Sequence, residues 1–214
     1  MAISTFSELK TAVANWIARD DLTSRIPEFI TLFEAKANRD LRCTQMEKRS
    51  YVSIDLDTGE PEFITLPSNF QTMRRARLSS VTGKPRLQFL SGMQMDAYRY
   101  STANSTGQPI YFTVVGDELE LLPTPDAEYT LEMVYRAYLT ALSDAATTNW
   151  LLTLAPDAYL YGALMEAAPY MKDDARVATW ATGYSHAIDG LNRLAMEQSF
   201  GAGPLEVRLS QVTP

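Results

Sequence analysis

The sequence predicts an α+β protein: N-terminal and C-terminal helices packed as a helical bundle, with a central antiparallel β region inserted between them. Three observations carry this. Apolar residues recur at spacings of three and four near both ends, which gathers them on one helix face. Between those blocks the period falls to two and turn residues punctuate the chain. The 214 residues are 46% hydrophobic and 21% charged, a globular mix, and a chain of this length buries about 70% of its unfolded surface. The expected divisions are residues 1–47 (N-terminal helices), 48–142 (β region with one short helix), 143–196 (C-terminal helical pair) and 197–214 (extended tail).

A first helix is expected over residues 4–19. Thr5 and Glu8 have capping-box spacing, Phe6, Leu9, Val13, Trp16 and Ile17 form its apolar face, and Asp20-Asp21 ends it. A second starts near Pro27. Its inner face is Ile26, Phe29, Ile30, Phe33, Ala37 and Leu41, and Glu28, Glu34, Lys36, Arg39 and Asp40 make a solvated outer face.

The β region begins with Tyr51–Leu56, where Val52, Ile54 and Leu56 alternate with polar residues. Asp57-Thr58-Gly59 is a turn, Phe63–Leu66 a short strand stopped by Pro67, residues 73–81 a further strand, and Lys84–Leu90 an extended piece. Ser91 and Gln94 repeat the capping-box spacing and open a short helix through Tyr98. Residues 101–109 are a loop. Ile110–Val115 and Glu118–Leu122 flank Gly116-Asp117 as a hairpin, and residues 129–139 are expected to be the longest strand.

After a linker over residues 140–149, Pro156 suits a first helical position, and Tyr159, Ala163, Leu164 and Ala167 share a face. Pro169 predicts a kink or break near Ala168, and Lys172-Asp173-Asp174 a corner whose aspartates cap the next helix. That helix carries a stripe of Val177, Trp180, Ala181, Tyr184, Ile188, Leu191 and Ala195. Gly183 and Gly190 lie inside it, at a cost of roughly 1 kcal/mol each relative to Ala, which points to close helix packing.

Catalytic and metal signatures are missing from the sequence. Cys43 is the only cysteine and reads as a buried thiol, so no internal disulfide and no Cys-based metal site is expected. His186 is the only histidine; with Ser185 and Asp189 on the same helix it makes no triad, and pairing with Asp189 on the helix surface is the simpler reading. Asp173-Asp174 and Asp55-Asp57 lack calcium-loop spacing, and there is no P-loop or G-x-G-x-x-G. We therefore expect no cofactor, no metal and no enzyme. The N-terminus has no secretory pattern, and no apolar run reaches the roughly 20 residues of a membrane helix.

Charge is uneven along the chain. The total is −7, but residues 71–100 hold six Arg/Lys against one acid and residues 117–174 hold eleven acids against two bases. Such asymmetry suits a subunit that meets copies of itself through opposite charges; two solvated surfaces are the plainer alternative. Arg74, Arg75 and Arg77, with Tyr98, Arg99 and Tyr100, make the best local nucleic-acid candidate, since single-strand binders set aromatics beside cations. The net negative charge argues against it and for a subunit contact.

Several strings in a fixed order carry a resemblance: SELKTAVANWIARDDLTSRIPEFITLFEAKANRDLR, ITLPSNF, PRLQFLSGMQMD, QPIYFTVVGDELELLPTPDAEYTLEMVY and TNWLLTLAPDAYLYGALMEAAPYMKDDARVATW. Over roughly residues 5–196, and most strongly over Arg25–Arg42 and Asn149–Trp180, the chain resembles the head-to-tail adaptor proteins of tailed bacteriophages, particularly short-tailed ones. The resemblance implies a structural virion protein, made in the host cytoplasm. It implies a homo-oligomeric ring, commonly of about twelve copies, that closes by heterologous contacts below the portal protein. Such a ring extends the DNA channel without sequence-specific binding and docks tail nozzle or tail tube proteins. No catalytic residues come with the family. The expected subunit or portal contacts are Arg74, Arg75, Arg77, Tyr98, Arg99 and Tyr100, and in the tail Phe200, Leu205, Val207 and Leu209. A monomeric binding module or assembly chaperone is the alternative, and a phage-encoded hydrolase a further one.

Overall fold

The computed structural model describes residues 3–101, 105–171 and 174–200. The elements run α1 (Phe6–Ile17), α2 (Ile26–Asp40), β1 (Glu47–Ser53), β2 (Phe63–Thr65), β3 (Phe70–Leu78), β4 (Gln88–Phe89), α3 (Gly92–Ser101), β5 (Tyr111–Val115), β6 (Glu118–Leu122), β7 (Thr130–Ala137), α4 (Trp150–Leu154), α5 (Pro156–Met171) and α6 (Asp174–Phe200). This is the α+β arrangement expected, with helices at both ends and strands between. The chain forms two units: a helical one, Met1–Gln45 with Leu139–Pro214, and a β one, Met46–Tyr138.

In the helical unit the capping box of α1 forms as expected. Glu8 Oε2 accepts the Thr5 N–H at 3.0 Å, and Thr5 Oγ1 accepts the Glu8 N–H at 3.3 Å. The helix stops at Ala18 in the left-handed conformation (φ 55°), before the Asp pair that was expected to end it. Trp16 does not join the buried face; it is half-exposed and meets the edge of Tyr161. All six residues expected on the inner face of α2 are buried.

Helix α5 is the centre of this unit and packs against α1, α2, α4 and α6. It is buried nearly all round, from Ala158 to Ala168, and its small residues let neighbouring helices approach. Gly162 is the extreme case: a Cβ there would lie 2.0 Å from Cδ2 of Phe33. Close packing also explains Gly183, where a Cβ would lie 3.0 Å from the Tyr161 ring, but not Gly190, which has nothing within 4 Å. The expected break near Ala168 does not occur. Helix α5 continues through Pro169 to Met171, because a proline so near the C-terminal end removes one donor from a helix already held by its neighbours. Lys172 and Asp173, with the capping expected there, lie outside the described residues. The stripe from Trp180 to Ala195 on α6 faces inward, and α6 runs to Phe200, past the expected end at Met196.

The sequence placed Glu34 among solvated residues. It is instead 4% exposed, with Oε1 accepting the Leu142 N–H at 2.8 Å and the Tyr159 hydroxyl at 2.9 Å. Burial pushes its carboxyl up from the ordinary range, against those two hydrogen bonds. The same Tyr159 oxygen accepts from Nδ2 of Asn149, which also caps α4 by accepting the Leu152 N–H. Cys43 is buried, as expected.

The β unit holds two sheets, ordered β1-β7-β3 and β2-β6-β5-β4. An all-antiparallel region was expected, but β4 and β5 pair in parallel, because α3 carries the chain back between them. The first strand is also displaced: β1 spans Glu47–Ser53, and Leu56 sits in a single 3-10 turn capped by Asp55. β3, at 9 residues, is longer than the 8-residue β7. The hairpin at Gly116-Asp117 forms as expected, with Gly116 at φ 64°. Ile64, Leu78, Phe112, Leu119, Leu131 and Met133 are at the centre of the core.

Candidate assembly surface

The arginines of β3 stand on the outer face of the first sheet. The register puts Arg77 opposite Glu132 and Arg75 opposite Val134 on β7, with Arg49 and Tyr51 of β1 across the same residues. Alternation along β7 sends Leu131, Met133, Tyr135 and Ala137 to the core, leaving Glu132, Val134 and Arg136 on the outer side. Glu132 is the hub. Arg77 donates to its Oε2 from Nε at 2.9 Å and Nη2 at 2.6 Å, and Arg49 and Arg75 lie 3.4 and 3.7 Å from Oε1. Glu132 is 1% exposed, with Arg49, Arg75 and Arg77 all within 4 Å of its carboxylate. The Arg77 hydrogen bonds, then the charges of Arg77, Arg49 and Arg75, hold its carboxyl below the ordinary carboxylate range against the cost of desolvation.

Beside this hub runs a shallow trough of about 620 Å³, lined by Glu47, Lys48, Arg49, Arg74, Arg75, Arg86 and Val134. Five cations face one acid there, and Arg74 Nε pairs with Glu47 Oε1 at 3.1 Å. The arginines expected as contacts therefore divide. Arg77 is engaged within the chain, whereas Arg74 and Arg75 also border open surface.

Tyr98, Arg99 and Tyr100 hang on the second sheet instead, through α3. Arg99 donates to Glu120 of β6, and the Tyr98 ring lies 5.0 Å from that of Tyr111 on β5. Tyr100 is 92% exposed. The expected basic and aromatic group is thus anchored on two different sheets. The acidic stretch likewise serves the basic one, since Glu132 and Glu120 pair with Arg77 and Arg99 of the same chain.

A feature the sequence reading missed is an apolar cleft of about 440 Å³ along β3. All residues from Phe70 to Ala76 line it, facing Leu87, Phe89, Phe112 and Val114. Bulges at Gln71 and Arg74 shift the strand register, so Phe70, Met73 and Ala76, three apart, all reach the apolar side. That spacing of three in a strand was the available signal.

Of the tail contacts, Phe200 is the last residue of α6, and Leu205, Val207 and Leu209 lie outside the described residues. His186 is exposed, and Asp189 takes the Ser185 hydroxyl at 3.4 Å. Among the described residues no group of three or more His, Cys, Asp or Glu could hold a metal ion, and no helix is long and apolar enough to cross a membrane.

A comparison with curated proteins gave no match. The family model of the SU10 adaptor protein matches residues 4–208, which takes in both units and continues past the end of α6. With helical segments before and after the β unit in the chain, and with a match over nearly the whole chain, the protein belongs to the SU10 adaptor protein family.

Proposed function

We propose that this protein is a structural component of a phage particle, a head-to-tail adaptor that assembles as a ring below the portal, commonly of about twelve copies. In this reading the ring extends the DNA channel and gives tail components their docking surface. The family match over residues 4–208 carries it. The helical unit, built around the buried α5, forms the body of each subunit. Exposed side chains of the β unit (Arg74, Arg75, Tyr98 and Tyr100) and the tail, from Phe200 through Leu205, Val207 and Leu209, contact a neighbouring copy or the portal. Arg77 and Arg99 support that surface from inside their own chain. The net charge of −7 suits a channel through which DNA slides, since few phosphates are neutralised. The test is the mass of the purified protein in solution, alone and mixed with its portal. A ring in either condition is expected. A protein that stays monomeric and ignores the portal refutes the proposal.

A further inference from the structure

The edge of the first sheet offers a place for another strand. β3 pairs only with β7 within its sheet, and its outer edge meets the rest of the β unit at one end. There Leu78 donates to Pro85, Leu87 donates to Ala76, and Arg77 bridges Arg86. From Phe70 to Arg75 no strand among the described residues covers that edge. Consecutive residues of a strand point to opposite faces, so one cleft can be lined by seven in a row only if it runs along the strand's edge, beside the backbone. The far wall is apolar, with Leu87, Phe112 and Val114 and a Phe89 that is 63% exposed. Open edges with apolar surroundings are templates for pairing, and proteins usually cover them.

The chain itself contains a segment of matching form. Past α6, Gly201, Gly203 and Pro204 are poor helix formers, and Leu205-Glu206-Val207-Arg208-Leu209 then alternates apolar and charged residues with period two. Paired as a strand, that pattern would put Leu205, Val207 and Leu209 on one apolar face for the cleft, with Glu206 and Arg208 on the other. Five residues extend about 17 Å, within the roughly 20 Å that six residues of β3 leave open. The family match reaches residue 208, so most of this segment is shared with the family pattern.

We propose that the cleft along the open edge of β3 receives Leu205–Leu209 of a second copy of this chain as an added strand. The inference rests on the adaptor reading, because a ring requires each copy to present one surface and grip a different one.

The experiment uses full-length single-cysteine additions, Met73→Cys in the cleft and Val207→Cys in the segment, mixed in equal parts with portal and oxidised. The native Cys43 is buried. Disulfides need Cα atoms within about 7 Å, so a covalent dimer that forms in the mixture, and not in either variant alone, reports the contact between copies. That dimer is the expected result, together with its loss when Leu205 and Leu209 are both changed to Asp in the Val207→Cys chain. If the ring forms and the mixture gives no dimer, the docking is wrong and the adaptor reading stands. If a chain carrying both cysteines closes on itself as a monomer, the second copy is wrong. If the unmodified protein gives no ring with portal, the adaptor reading itself has failed.

Discussion

Replacing Gly162 by Ala should destabilise the helical unit, although Ala is the better helix former. The new Cβ would lie 2.0, 2.3 and 2.8 Å from Cδ2, Cε2 and Cγ of Phe33. Carbon atoms pack at roughly 3.5–4.0 Å, so the ring must retreat by about 1.5 Å. It has nowhere to go: Phe33 is fully buried, edge-on to Tyr159 at 4.8 Å and to Tyr184 at 5.8 Å. Overpacking of this kind costs about 1–3 kcal/mol, and helix propensity returns at most about 1 kcal/mol. Gly190→Ala is the matched control, with nothing within 4 Å of its Cβ and a gain of about 1 kcal/mol expected. Gly183→Ala should fall between them, because Tyr161 is only partly buried and can yield to a Cβ at 3.0 Å. Urea unfolding followed by tryptophan fluorescence suits the test, since Trp16, Trp150 and Trp180 are the only tryptophans and all belong to the helical unit. The midpoint should fall by roughly 0.5–1 M for Gly162→Ala and rise for Gly190→Ala. A Gly162→Ala protein as stable as the Gly190→Ala protein would refute the packing argument.

Four further outcomes are expected. Glu132 has its carboxyl held low, so its contribution to the β unit is complete above the ordinary carboxylate pKa and lost as pH falls through the depressed one. Glu132→Gln should accordingly flatten the acid limb of β-unit stability measured by hydrogen exchange. Glu34 has the opposite sign: its pKa is raised, so its contribution is greatest at low pH and shrinks as pH rises through the folded value. Glu34→Gln should therefore lose less at neutral pH than Glu34→Ala, which leaves the Leu142 N–H and the Tyr159 hydroxyl unpaired at about 1–3 kcal/mol each in thermal unfolding. Tyr100→Ser should change subunit stability by no more than about 0.5 kcal/mol but weaken ring formation with portal, read by light scattering. Raising salt to about 1 M, where screening acts within roughly 3 Å, should leave the ring intact in sedimentation if apolar strand addition holds it.

Local signals made much of the fold legible. The Thr5–Glu8 box and the Gly116 hairpin depend on residues a few positions apart, and both formed where the sequence put them. The buried charges were not legible for the opposite reason. Glu34 reads as one acid among solvated neighbours on α2, and only Tyr159 and Leu142, 125 and 108 residues away, make it an interior acceptor. The tight fit at Gly162 was not legible in the sequence, because the ring that fills its space belongs to another helix. β1 was placed late because Glu47, Lys48 and Arg49 hide the strand's alternation, its outer face being built from ion pairs rather than apolar residues. The same cause hid part of the candidate surface. The arginines were visible as a cluster, but the carboxylate that organises them lies on β7, 55 residues from Arg77.

That pairing changes what the linear charge pattern means. A basic segment followed by an acidic one suggests two faces meant for neighbouring subunits. Yet Arg77 and Arg99, from the first, are engaged by Glu132 and Glu120, from the second, within one chain. An antiparallel sheet does this naturally, since it lays distant segments side by side and lets opposite charges pair across strands. The charge left near the surface of the first sheet is the smaller surplus of Lys48, Arg49, Arg74, Arg75 and Arg86 over Glu47. Exposed pairs of that kind contribute little each, typically below about 1 kcal/mol. A ring held by them alone would be loose. In the proposed ring, a strand added to the apolar cleft of β3 supplies what they lack, because burying Phe89, Val114 and their neighbours gains free energy in proportion to the area removed from water. In that proposal the arginines set register and exclude wrong pairings at the rim, which is the role charge performs well at an interface.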